Sequence, residues 1–92
     1  MDNIYIDQPW GAYLDTETDL TDATLKIRVK APDGGTTLLD AVETATDNEI
    51  YAKVTGGIND EVGLWEVRPW ILFDGDTNYT PGKPHSQLVQ AV

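Results

Sequence analysis

Cysteine is absent from the 92 residues. The chain therefore has no disulfide framework and no thiolate ligand for a metal, which fits folding in a reducing compartment. Histidine and serine occur once each, as His85 and Ser86. A single histidine supplies no metal cluster. A serine beside it in sequence is poorly placed for nucleophilic catalysis, because successive strand residues point to opposite faces. Carboxylates are plentiful, but nothing in the sequence outlines the walled cleft that paired acid–base chemistry needs. The chain is read as a non-enzyme without a cofactor.

Basic residues are scarce too. Six lysines and arginines stand against sixteen aspartates and glutamates, for a formal net charge of −10. Such a balance repels nucleic-acid phosphates and anionic lipid. The only basic cluster is Lys26, Arg28 and Lys30, closely preceded by Asp15, Glu17, Asp19 and Asp22. Direct nucleic-acid binding is not expected, and neither is membrane association. No segment approaches the ~20 apolar residues of a membrane span. The acidic start at Met1 lacks the basic and apolar regions of a signal peptide, and Met1 is read as the start of a whole reading frame. Gly34-Gly35 and Gly56-Gly57 lack the spacing and lysine of a phosphate loop, so they read as turns.

What is present is alternation. Leu25, Ile27 and Val29 alternate with Thr24, Lys26, Arg28 and Lys30, as in a strand with one face on a core. Pro32-Asp33-Gly34-Gly35 ends it. Ile50, Ala52 and Val54 alternate with Tyr51 and Lys53. Short strands are also expected at 4–6, 10–14 and 86–92. Residues 38–45 suit a strand better than two helical turns, since their surroundings are β. The sum is one domain, 1–92, an all-β antiparallel sandwich of about seven strands.

The longest strand, 64–73, is apolar on both faces. Trp65, Val67, Ile71 and Phe73 share one parity, and Leu64, Trp70 and Leu72 share the other. The first set fills a core, where the Trp65 indole N–H needs a partner. The second set needs cover from a terminal segment or from another molecule. Pro69 cannot donate a ladder hydrogen bond and should lie at an edge, a bulge or a bend.

Asp19-Leu20-Thr21-Asp22-Ala23-Thr24 leading into Leu25-Lys26-Ile27-Arg28-Val29, then Pro32-Asp33-Gly34, Ile50-Tyr51-Ala52 and Gly63-Leu64-Trp65, form an ordered series. With the opening Asn3-Ile4-Tyr5-Ile6, this series resembles immunoglobulin-like virion domains of tailed bacteriophages. The likeness is to the N-terminal domain of siphophage upper baseplate proteins and its small stand-alone relatives. It spans roughly residues 3 to 92 and rests on order and spacing rather than on one specific motif. The chain departs from that pattern at Gln8-Pro9-Trp10 and at Pro69-Trp70, each time adding a tryptophan. The resemblance implies an immunoglobulin-like fold and a structural role in a virion, with the protein made in the host bacterial cytoplasm. The implied partners are other virion proteins of the capsid or of the tail and baseplate, contacted in many copies. The short single domain favours an accessory or decoration role.

Trp10, Trp70, Leu72 and Tyr79 are the candidate partner-interface residues, because tryptophan is enriched at binding hot spots. Tyr13 belongs either with them or in the core. The alternative is a carbohydrate-binding module in which Trp10, Trp70 and Tyr79 present rings to host-surface glycans. Asp74-Gly75-Asp76-Thr77-Asn78 starts like a calcium loop, but Tyr79 and His85 replace the glycine and glutamate that such a loop needs. A plain turn is expected there.

Overall fold

The computed structural model describes residues 4–91. Nine strands and no helix occur among them: β1 Ile4–Tyr5, β2 Trp10–Asp15, β3 Thr24–Lys30, β4 Thr36–Asp40, β5 Val42–Glu43, β6 Glu49–Val54, β7 Gly63–Leu72, β8 Thr80–Pro81 and β9 His85–Gln90. The larger sheet runs β1-β9-β7-β3-β4, with β8 beside the far end of β7. The smaller sheet is β2-β6-β5. Apart from the parallel β1–β9 pair, every pairing is antiparallel. This arrangement is a β-sandwich, with β2, β6 and β5 in one layer and β3, β7 and β9 in the other.

All seven segments expected from alternation contain a strand. The count rises to nine for two reasons. The 38–45 run divides at Ala41, whose N–H still bonds to Leu25 of the larger sheet, while Val42 already pairs with Tyr51 of the smaller one. The chain changes layers there. The second addition is β8, two residues that pair with Trp70 and Ile71.

The core is the meeting of two inner faces. The smaller sheet contributes Trp10, Ala12 and Leu14 from β2 with Ile50, Ala52 and Val54 from β6. The larger contributes Ile27, Val29, Trp65, Val67, Ile71 and Val89. Fully burying an aliphatic side chain of this size contributes about 1.5–3 kcal/mol, so these two rows dominate the favourable side of folding. The Trp65 indole N–H donates to the Glu61 carbonyl at 2.8 Å, which answers its need for a partner.

Pro69 sits where β7 changes neighbours. Its carbonyl accepts the Gly82 N–H at 2.8 Å, on the side away from β3. A strand residue directs its N–H and C=O to the same side, so the missing N–H faces the break between β9 and β8. The β3–β7 ladder therefore loses no bond. One polar clamp holds the start of the chain. Asn59 is fully buried, and its side-chain NH2 donates to the carbonyls of Tyr5 and Gln8, each at 2.9 Å. Its own carbonyl accepts the Asp7 N–H at 2.7 Å, fixing the turn between β1 and β2.

Candidate docking surface

The outer face of the larger sheet carries the unusual surface. Register places Leu64, Glu66, Arg68, Trp70 and Leu72 of β7 there, beside Thr24, Lys26, Arg28 and Lys30 of β3. Leu38 and Asp40 of β4 lie next to β3, and Leu88 of β9 lies opposite Leu64. Leu38, Leu64 and Leu88 are each exposed by half or more, at 50, 60 and 51%. A strand facing water ordinarily alternates with polar side chains, and these three open leucines depart from that pattern.

The residues expected to anchor a partner divide between two places. Trp70 and Leu72 share this outer face and are half-buried. Tyr79, also half-buried, immediately precedes β8, whose Thr80 and Pro81 pair with Ile71 and Trp70. These three come together. Trp10 does not join them. It is only 8% exposed and lies in the core, on the inner face of the other sheet. It shares the parity of Ala12 and Leu14 and pairs with inward-facing Val54, so strand geometry turns it inside. Its indole N–H is buried without a hydrogen-bond partner among the described residues.

Trp70 is not roofed by hydrocarbon alone. The Arg28 guanidinium lies 4.7 Å from its ring centroid, a cation–π contact that occupies one ring face. Lys26, the register partner of Trp70, is ion-paired with Asp40. The pair holds the Lys26 ammonium above its ordinary range and the Asp40 carboxyl below its own, through hydrogen bonding first and charge second. Arg28 and Arg68 are direct register partners. Like charges so placed are destabilising. Arg68 approaches Glu66 only to 3.6 Å, and its Nε is buried with no hydrogen-bond partner among the described residues.

The smaller sheet offers a different outer face. Tyr13 is 62% exposed and its ring centroid lies 4.7 Å from that of half-buried Tyr51, at 44° between planes. A Cβ on Gly11 would meet the Tyr51 ring at 2.7 Å, so Tyr51 covers the glycine. Tyr13 is thus neither core nor part of the Trp70 patch. The strand β2 has a single neighbour, β6. Thr16 donates to Asn48 across that pair, which by alternation turns the N–H groups of Gly11, Tyr13 and Asp15 toward the open edge.

Among the described residues no cluster of histidine and carboxylate side chains is arranged to hold a metal ion. The 74–76 segment is a turn, with Gly75 at φ 85° and the Asp76 N–H donating to Phe73. His85 and Ser86 pair with Val67 and Glu66, which point to opposite faces of β7, so the two side chains diverge. A cavity of about 310 Å³, lined by Pro69, Ile71, Phe73 and Pro81 with Thr16 and Thr80, opens at one side of the sandwich and holds no titratable group.

Sequence reasoning missed Leu38 and Leu88. Leu38 sat in a run readable as helix, and the facing of Leu88 depends on its pairing with Leu64. The parity of Leu64 with Trp70 was the available signal. The chain matches no family model, no curated protein and no solved structure.

Proposed function

We propose that this chain is a non-enzymatic docking module, a structural component of a tailed-phage virion attached to the capsid or tail through the outer face of its larger sheet. The observation that carries the docking part is that Leu38, Leu64 and Leu88 stand open on the same sheet face as half-buried Trp70. The virion part rests on the resemblance of the Asp19–Val29, Pro32–Gly34 and Gly63–Trp65 segments. An immunoglobulin-like sandwich is a rigid platform for such a face. Many copies on a lattice multiply weak single contacts.

The test is the protein content of purified particles of the phage that encodes the chain. The reading expects the chain in many copies per particle. It also expects a Leu64→Glu, Leu88→Glu double variant to be lost from particles while still folding. Particles that lack the parent chain would remove the virion reading.

The second reading is glycan binding. Its original ring set fails, since Trp10 is core and Arg28 covers one face of Trp70. The pair of exposed Tyr13 with half-buried Tyr51 is the observation that keeps it. The tilt between those rings makes a poor flat platform for a sugar ring. A glycan array without a hit would remove this reading.

A further inference from the structure

The outer face of the larger sheet is positive in a protein that is otherwise strongly negative. Its strand residues include four of the six basic side chains, Lys26, Arg28, Lys30 and Arg68, against two carboxylates, Asp40 and Glu66. That leaves two positive charges on the face and twelve negative ones on the rest of a chain of net charge −10. The opposing Arg28–Arg68 pair is the costly part of this arrangement. An incoming carboxylate would supply a counter-charge to either guanidinium.

The complement lies on the same molecule. The loops 16–23, 44–48 and 73–79 carry Glu17, Asp19, Asp22, Asp47, Asp74 and Asp76 and contain no lysine or arginine. Strand pairing gathers all three at one end. Asp15 at the close of β2 pairs with Glu49 at the opening of β6, and Thr24 at the opening of β3 pairs with Leu72 at the close of β7. Thr16 and Thr18 share a cavity with Ile71 and Phe73, which brings the ends of the two sheets together. Asp19 is held below the usual carboxylate range by hydrogen bonds from the Thr21 hydroxyl and N–H, so it stays charged.

Resting on the docking reading, we infer that this face, when it is not seated on a particle, takes the acidic end of a second copy of the chain. Face-on-face stacking about a twofold axis would set Arg28, Arg68 and Lys30 against the same cations. The contact is therefore head-to-tail, a geometry that builds rings or filaments rather than closed dimers. The leucines supply apolar burial and the arginines supply orientation.

Analytical ultracentrifugation of the purified chain at about 0.15 M salt, where charge acts over roughly 8 Å, tests this. The parent should grow with concentration past the dimer mass, and 1 M salt should return it to monomer. Arg28→Glu with Arg68→Glu blocks the face, and Asp74→Lys with Asp76→Lys blocks the end. Each double variant alone should stay monomeric. Their equimolar mixture should grow again past the dimer, because each keeps one intact half of the contact and the two charge-reversed halves attract each other. Arg28→Gln with Arg68→Gln should also be monomeric, and thermal melting checks that every variant folds. A parent that stays monomeric up to millimolar concentration overturns the self-contact. So does growth that all variants share. Neither result touches the particle test of the docking reading, which fails or stands separately.

Discussion

Leu64 on β7 and Leu88 on β9 are register partners, and more than half of each side chain is open to water. A cross-strand apolar pair contributes roughly 0.2–1 kcal/mol to a sheet, while full burial of either leucine is worth about 1.5–3 kcal/mol. Most of their apolar area is therefore unused by the fold. Leu64→Ala with Leu88→Ala should cost under about 1 kcal/mol in urea unfolding. A larger loss would mean that the pair serves the fold rather than a partner.

Trp10 gives the opposite expectation. It lies within the core, so Trp10→Ala should cost about 3–5 kcal/mol, as large-to-small core changes do. A domain stable by about 5–15 kcal/mol loses much of its margin to that change. Chemical denaturation of parent and variant measures it. A loss below about 1 kcal/mol would restore Trp10 as a surface residue.

Asn59 ties the β1–β2 turn to the rest of the domain through two donated hydrogen bonds and one accepted by its backbone. Asn59→Ala leaves the Tyr5 and Gln8 carbonyls without that donor. The Tyr5 carbonyl still accepts the Gln8 N–H, so one group is stranded and the expected loss is about 1–3 kcal/mol. Amide exchange should quicken at Ile6, whose N–H bonds to Gln90. Unchanged exchange there would show that the turn holds without the clamp.

Glu61 sets a pH signature. Desolvation first, and then the charges of Asp33 and Asp60, hold its carboxyl above the usual range. A carboxyl with a raised folded pKa favours the proton in the native state, so its ionisation costs stability as pH rises through that value. Glu61→Gln should melt higher than the parent at pH 7. The gain should vanish below the ordinary carboxylate range, where Glu61 is protonated in both states. Thermal melts across pH 3–8 follow this, and a gain that persists at low pH would point to a cause other than charge.

The strands were legible because alternation is local. Ile27 and Val29, or Ile50 and Val54, declare their inward face within a few residues, and Pro69 announced a break in the ladder that the β9-to-β8 change supplies. The change of layers at Ala41 was not legible, since residues 38–45 read as one run whichever sheet they enter. Trp10 was misread although Ala12 and Leu14 shared its parity, because its position after Pro9 at a strand opening drew it to the surface. The basic face was half legible. Lys26, Arg28 and Lys30 were plainly water-facing, but the match of Arg28 with Arg68 depends on a register that links residues forty positions apart.

Particle occupancy of two double variants tests the docking face most directly. Leu64→Glu with Leu88→Glu charges the outer face of the larger sheet, and Tyr13→Ser with Tyr51→Ser alters the outer face of the smaller one. With both variants folded, quantitative mass spectrometry of purified particles should find the leucine variant depleted at least tenfold and the tyrosine variant near parental occupancy. Parental occupancy of the leucine variant, or loss of the tyrosine variant alone, would contradict the account.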